Sequence, residues 1–166
     1  TVTLAYEKVQ EMRYGENPHQ AGAFYRELGA TPGCLTDAVQ LHGKELSYNN
    51  INDTNGALDL LREFKETAVV CCKHANPCGV GVGETVYDAY MKAYTADPMS
   101  VFGGIVVTNA VIDKATAAEM HKILLEIIVA PDFTPEAIKT LTYKKPSLRL
   151  LKLDTTHREY PEGELD

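Results

Sequence analysis

A chain of 166 residues, 45% hydrophobic and 23% charged, has the material for one domain with a real core. Its net charge of −7, with no single-sign basic patch, speaks against a nucleic-acid partner, and no apolar run is long enough to cross a bilayer. No basic leader precedes a short apolar stretch, so the chain reads as cytoplasmic without a membrane partner.

Residues 1–50 carry scattered turn formers, "YGENPHQ", "GATPG" and "SYNNIND", and read as an irregular N-terminal arm with one or two short strands. Residues 51–153 then alternate. A helix is predicted from about Asp53 to Lys65, with Leu58, Leu61 and Phe64 inward. "AVVCC" is a continuous apolar run of the kind that forms a buried strand. "ETVYDAYMKAYTA" puts Val86, Tyr90, Ala93 and Tyr94 at helical spacing, and "FGGIVVT" is strand-like again. "DKATAAEMHKILLE" opens on the N-cap Asp113 and sets Met120, Ile123, Leu124 and Ile127 on one face. "IIVA" is a strand ended by Pro131; Thr134 caps the next helix, with Pro135 in its first turn, and "LRLLKL" is a last strand. Residues 154–166 form a polar, acidic tail expected to fray. The series β-α-β-α-β-α-β predicts a layered α/β fold, with helices on the faces of a mostly parallel sheet. Lys73 to Gly83, directly after "AVVCC", then falls where open α/β sheets bind ligands.

That segment belongs to "CCKHANPCGVGVGE", residues 71–84, which admits several chemistries. Zinc deaminases of nucleobases use His-x-Glu and Pro-Cys-x-x-Cys on a β-α-β core. Here Pro77-Cys78 is present, but Gly81 stands where the second cysteine should be, and no Glu lies two residues beyond His74. Adjacent Cys71 and Cys72 point to opposite faces of a strand. The zinc reading is therefore disfavoured, and Cys34, Cys71, Cys72 and Cys78 read as small core residues. Gly79, Gly81 and Gly83 match neither dinucleotide nor Walker loops and suit a close backbone approach better than a phosphate cradle. Lys73-His74 is the sharpest signal. At the end of a buried strand, low dielectric and a neighbouring cation favour a neutral imidazole that can act as a base, with Lys73 to stabilise developing negative charge. A purely structural pair fits the same residues. In "RYGENPHQ", Arg13 offers a planar fork for phosphate, or is a solvated charge, and His19 reads as a turn residue packed on the sheet.

Taken together, "RYGENPHQ", "GKELSYNNINDTNGALDLLREF", "KHANPCGVGVGE", "DPMSVFGGIVVTN" and "LEIIVAPDFTPEAIKTL" resemble, in order, the 5-aminoimidazole-4-carboxamide ribonucleotide (AICAR) formyltransferase region of a bifunctional purine-biosynthesis family whose other activity is inosine monophosphate (IMP) cyclohydrolase. The resemblance implies a cytidine-deaminase-like subdomain that has lost its zinc. It implies formyl transfer from the cosubstrate 10-formyltetrahydrofolate to the 5-amino group of AICAR. It makes His74 the general base and Lys73 its electrostatic partner, and it puts Arg13, Tyr14, His74, Gly103 and Glu126 on the nucleotide, Arg13 at its phosphate. It implies a homodimer and leaves monovalent-cation binding open. The chain opens on Thr1 and matches only the first half of that region, so it reads as a piece lacking the second subdomain and the cyclohydrolase domain. Alone, it is expected to be inactive. A nucleotide-binding module without turnover and a deaminase-like hydrolase are the alternative readings.

Overall fold

The structure, a computed structural model, describes residues 3–29 and 32–156. The tail expected over residues 154–166 lies outside the described residues beyond Thr156. The arm begins with an antiparallel hairpin of β1 (Tyr6–Glu11) and β2 (Ala23–Glu27), followed by a 3-10 turn at Leu35–Asp37 and β3 (Val39–His42). Helix α1 (Tyr48–Leu61) follows, then β4 (Ala68–Lys73), β5 (Asn76–Val82), α2 (Val86–Ala96) and the short α3 (Pro98–Val101). The rest alternates: β6 (Gly104–Thr108), α4 (Lys114–His121), β7 (Leu125–Ala130), α5 (Pro135–Thr142) and β8 (Arg149–Lys152).

Six strands form one sheet in the order β3-β8-β7-β6-β4-β5. Strands β6, β7 and β8 are parallel, as the helical crossovers α4 and α5 require. Strand β4 is antiparallel to both β5 and β6, and β3 is antiparallel to β8. The sheet is thus mixed rather than mostly parallel. The fold class is a mixed α/β layer with helices on both faces. Strand β4 shows why its sequence reads as an unbroken apolar run. Val69 and Cys71 enter the core shared with α2, α4 and α5, while Ala68, Val70 and Cys72 enter the core shared with α1. Both faces are covered, so every position of the run Ala68–Cys72 is buried.

Three boundaries differ from the expectation. Lys73–Gly83 is not a loop but the turn and second strand of a hairpin, with β5 at the sheet edge. Its Pro77 is tolerated because an edge strand can spare an N–H. Gly79 and Gly81 lie against α2. A Cβ on Gly79 would stand 2.0 Å from the carbonyl oxygen of Ala93, and one on Gly81 would stand 2.1 Å from that of Ala89. These glycines serve close packing of backbone on backbone. Helix α1 starts at Tyr48, ahead of Asp53, because Ser47 forms a capping box with Asn50. Helix α4 ends at His121. Ile123 is half-buried, Leu124 is exposed, and Ile127 belongs to β7 rather than to the helix face assigned to it. The caps Asp113, Thr134 and Thr85 all accept from the third residue of their helices, as their residue types require.

Candidate functional site

The hairpin β4–β5 closes on the pair Lys73 and Asn76, leaving His74 and Ala75 as a two-residue turn. Both are left-handed, with φ of 53° and 58°. This is the backbone of a type I′ turn, which normally takes Asn-Gly. A residue with a Cβ costs about 1–2 kcal/mol there. Asn76 donates from Nδ2 to the carbonyl of His74 at 2.7 Å and ties down one side of the turn. The sheet is buried up to Cys72, Lys73 is half-buried and His74 is exposed. The apolar surroundings expected for His74 are therefore absent. Lys73 turns back across the sheet end and donates from Nζ to the carbonyl of Phe102 at 2.8 Å. That contact places its ammonium beside Gly103, itself left-handed at φ 71° and held by a 2.8 Å bond from its N–H to the Leu124 carbonyl.

Around this turn lies a cavity of about 430 Å³, lined by Tyr14, Asn50, Asp53, Lys73, His74, Gly103 and Glu126 among others. A second cavity of about 410 Å³ adjoins it, sharing Tyr14, Asn50 and Glu126, and takes in Arg13, Lys44, Lys144, Lys145 and Arg149. All six residues singled out in the sequence therefore meet at one end of the sheet: Arg13 on the second cavity, Lys73, His74 and Gly103 on the first, Tyr14 and Glu126 on both. The arm reaches this end through two backbone bonds, Arg13 N–H to the Leu46 carbonyl (3.0 Å) and Tyr48 N–H to the Tyr14 carbonyl (3.4 Å). Arg13 is exposed, with its guanidinium carbon 5.4 Å from the centre of the Tyr14 ring. His19 is exposed in the Gly15–Gln20 loop, not packed on the sheet as its sequence context suggested.

The second cavity is strongly cationic, with five basic side chains against the single carboxylate of Glu126. Two of the five are bonded to backbone carbonyls. Lys145 donates to the carbonyls of His121 and Ile123, and burial holds its ammonium below the usual lysine value. Arg149 donates to the carbonyls of Lys44 and Glu45; burial lowers its pKa, Glu126 opposes that, and Arg13 adds to it. The excess of positive charge suits a dianion such as a phosphate.

Besides these cations, Asn50 and Asp53 line the cavities without being singled out in the sequence. Asn50 donates from Nδ2 to Glu126 at 3.2 Å while its Oδ1 accepts the Ser47 N–H, so one amide joins the start of α1 to β7. The Ser-x-x-Asn spacing was the available signal. Asp53 faces the hairpin turn. Burial raises its carboxyl above the ordinary value, and the charge of His74 and the N–H groups of Ala75 and His74 oppose that rise, while Glu126 adds to it. The sequence marks it only as the start of a helix.

The cysteines behave as core residues more than as ligands. Cys71 and Cys72 are fully buried on opposite faces of β4, and Cys34 and Cys78 are half-buried. Burial pushes the Cys72 thiol up to about 11 and the Cys71 thiol higher still. Cys78 donates from Sγ to the Cys71 carbonyl at 3.3 Å. Among the described residues, no three His, Cys, Asp or Glu side chains are grouped as a metal site requires.

The family model described as "AICARFT/IMPCHase bienzyme" matches residues 1–165. Bifunctional purine biosynthesis protein PurH of Acetivibrio thermocellus is 58% identical over 166 residues, covering 100% of this chain and 32% of the relative. The PurH proteins of Ruminiclostridium cellulolyticum and Oceanobacillus iheyensis are 61% and 56% identical over 154 residues, each covering 93% of this chain and 30% of the relative. The chain thus spans about a third of the length of the curated relatives it matches. With the family model covering nearly every residue, the chain belongs to the AICARFT/IMPCHase bienzyme family.

Proposed function

We propose that this site takes part in formyl transfer from 10-formyltetrahydrofolate to the 5-amino group of AICAR, in the cytoplasm and as one portion of a longer purine-biosynthesis enzyme. The observation that carries the reading is the convergence of Arg13, Tyr14, Lys73, His74, Gly103 and Glu126 on two adjoining cavities, one cationic and one holding the Lys-His pair. In this reading the nucleotide's phosphate lies in the cationic cavity at Arg13, and its ring lies across Tyr14 toward Gly103 and Glu126. The 5-amino nitrogen then points at His74.

The amine is conjugated with the imidazole ring and is a weak nucleophile, so loss of its proton must accompany attack on the formyl carbon. His74 takes that proton. A C–N bond forms, the formyl oxygen gains negative charge, and the Lys73 ammonium beside Gly103 stabilises it. Collapse breaks the bond to the folate nitrogen, which leaves with a proton returned by the imidazolium. The folate pocket and the remaining nucleotide contacts come from portions of the enzyme outside this chain, in a homodimer. Cytidine-deaminase ancestry, with the zinc lost, belongs to the same proposal.

The test is a formyl-transfer assay on the assembled enzyme. His74→Ala is expected to lower turnover by about 10²–10⁴-fold with a much smaller effect on nucleotide affinity. Lys73→Ala should also lower turnover steeply, and Lys73→Arg should rescue little, since the planar fork does not fit a site shaped for a point charge. Near wild-type rates in both alanine variants would make the pair structural.

A further inference from the structure

We propose that Gly103 is the positioning residue for Lys73: its left-handed backbone turns the Phe102–Gly103 peptide so that the Phe102 carbonyl holds the Lys73 ammonium at the cavity. The inference begins with a glycine that crowding does not explain. A Cβ on Gly103 would meet only the Lys73 Nζ, at 3.9 Å, an ordinary contact. On the neighbouring Gly104, by contrast, a Cβ would stand 2.6 Å from the Cys72 carbonyl oxygen. What sets Gly103 apart is its φ of 71°, a backbone that side chains disfavour.

That φ has a use. A trans peptide is planar, with its C=O and N–H pointing in opposite directions, so fixing one aims the other. The Gly103 N–H donates to the Leu124 carbonyl at 2.8 Å, and on the opposite side of the same peptide the Phe102 carbonyl accepts from Lys73 Nζ at 2.8 Å. One peptide thus ties the residue before β7 to the last residue of β4. Its flanks are anchored. Before it, Val101 is buried in the core, and Asp97 caps α3 by accepting the Ser100 N–H at 3.1 Å. After it, Gly104 pairs with Leu125 in the sheet. The Phe102 ring is exposed, so that residue serves the site through its carbonyl. Lys73 is half-buried on the cavity that Gly103 and His74 also line. A lysine stem is flexible and does not fix its own end, so the carbonyl decides where the charge stands. An ammonium has three N–H donors, and the two left over are free to meet a ligand. A donor held in place before charge develops is what stabilisation of an oxyanion requires.

The catalytic consequence rests on the reading of Lys73 as the electrostatic partner, but the positioning is measured without turnover. Lysines of the assembled enzyme are acylated competitively with acetic anhydride, and mass spectrometry reads Lys73 against the exposed Lys114. Gly103→Val and Gly103→Asn are compared. The two side chains have similar bulk, but a β-branched residue rejects positive φ and asparagine accepts it. In Gly103→Val, Lys73 should label at least about tenfold faster than in the unmodified enzyme, the scale of one lost hydrogen bond from a charged group. Gly103→Asn should bring labelling most of the way back. Turnover at saturating nucleotide should follow the same order, falling about tenfold or more in Gly103→Val and mostly recovering in Gly103→Asn, whatever happens to KM. Equal labelling in the two variants overturns the inference, as does unchanged labelling in Gly103→Val. Should Gly103→Val not fold, Gly103→Ala takes its place: faster labelling of Lys73 than in Gly103→Asn supports the inference, and equal labelling overturns it. A wrong assignment of Lys73 in catalysis would leave the labelling order in place and show instead as near wild-type turnover in Lys73→Ala.

Discussion

Arg13 stacks near Tyr14 and faces a cavity in which two of the four other cations, Lys145 and Arg149, are already bonded to backbone carbonyls. In the proposed reading its planar fork meets the nucleotide's phosphate. Arg13→Ala should weaken the nucleotide far more than its dephosphorylated nucleoside, by about 1.5–3 kcal/mol, as isothermal titration would read. Equal loss for both ligands would remove Arg13 from the phosphate. Asp53 makes a second prediction, in stability. Its carboxyl is raised by burial above 3.8, so the folded chain holds that proton more tightly than the unfolded chain. Stability contributed by the protonated form is present in acid and is lost as pH rises through the raised value. Asp53→Asn, which mimics the neutral carboxyl, should therefore be more stable than the unmodified chain at pH 7. After solvent screening the gain should be less than about 1 kcal/mol, and it should vanish below about pH 4. Thermal melts at the two pH values check it; a variant less stable at pH 7 would contradict it. Lys73 and His74 were legible in the sequence because two titratable groups end an apolar run. Asp53 and Asn50 were not, because a polar residue near a helix start is ordinarily a cap, and only the fold brings α1 under the hairpin.

Between elements, β5 packs backbone on backbone against α2, and this packing rests on Gly79 and Gly81. Gly81→Ala would put a methyl group 2.1 Å from the Ala89 carbonyl oxygen and 2.6 Å from the Ala93 nitrogen, both backbone atoms that cannot rotate aside. We expect a loss of about 1–3 kcal/mol, seen as a lower urea midpoint with unchanged slope. An unchanged midpoint would mean that α2 moves off the strand at no cost. The same glycines explain what was hard to read. Strand propensity is low in "NPCGVGV", so the segment resembled a loop, and its strand character comes from pairing with β4 and cover by α2. The helices α2, α4 and α5 were legible because each carries a capping residue before an apolar periodicity. The antiparallel placement of β4 was not, because alternation of strands and helices suggests parallel order, whereas the tight β4–β5 hairpin turns the chain back and leaves β4 reversed between β5 and β6, which run in the same direction.

For the molecule as a whole, the site stands at one end of the sheet with an apolar rim: Met99, Phe102 and Leu124 are 87%, 53% and 52% exposed. Tyr6, Val9 and Tyr25 on the β1–β2 hairpin are exposed as well. Surfaces of this kind ordinarily meet another surface. We expect this chain alone to self-associate, with a sedimentation coefficient that rises with concentration, and to release no tetrahydrofolate from 10-formyltetrahydrofolate and AICAR. Steady release that His74→Ala abolishes would show the opposite, that one chain of this length holds a complete site. The pairing of β3 with β8 carries a further consequence, for the order in which the molecule comes into being. His42 bonds through Nδ1 to the Leu148 carbonyl, 106 residues away in the chain. On a ribosome β3 emerges long before the strand that receives it, while β4, β5 and β6 can already pair among themselves. Strand β3 must wait unpaired until β8 emerges, and the cationic cavity, whose wall includes Lys144, Lys145 and Arg149, is completed only then.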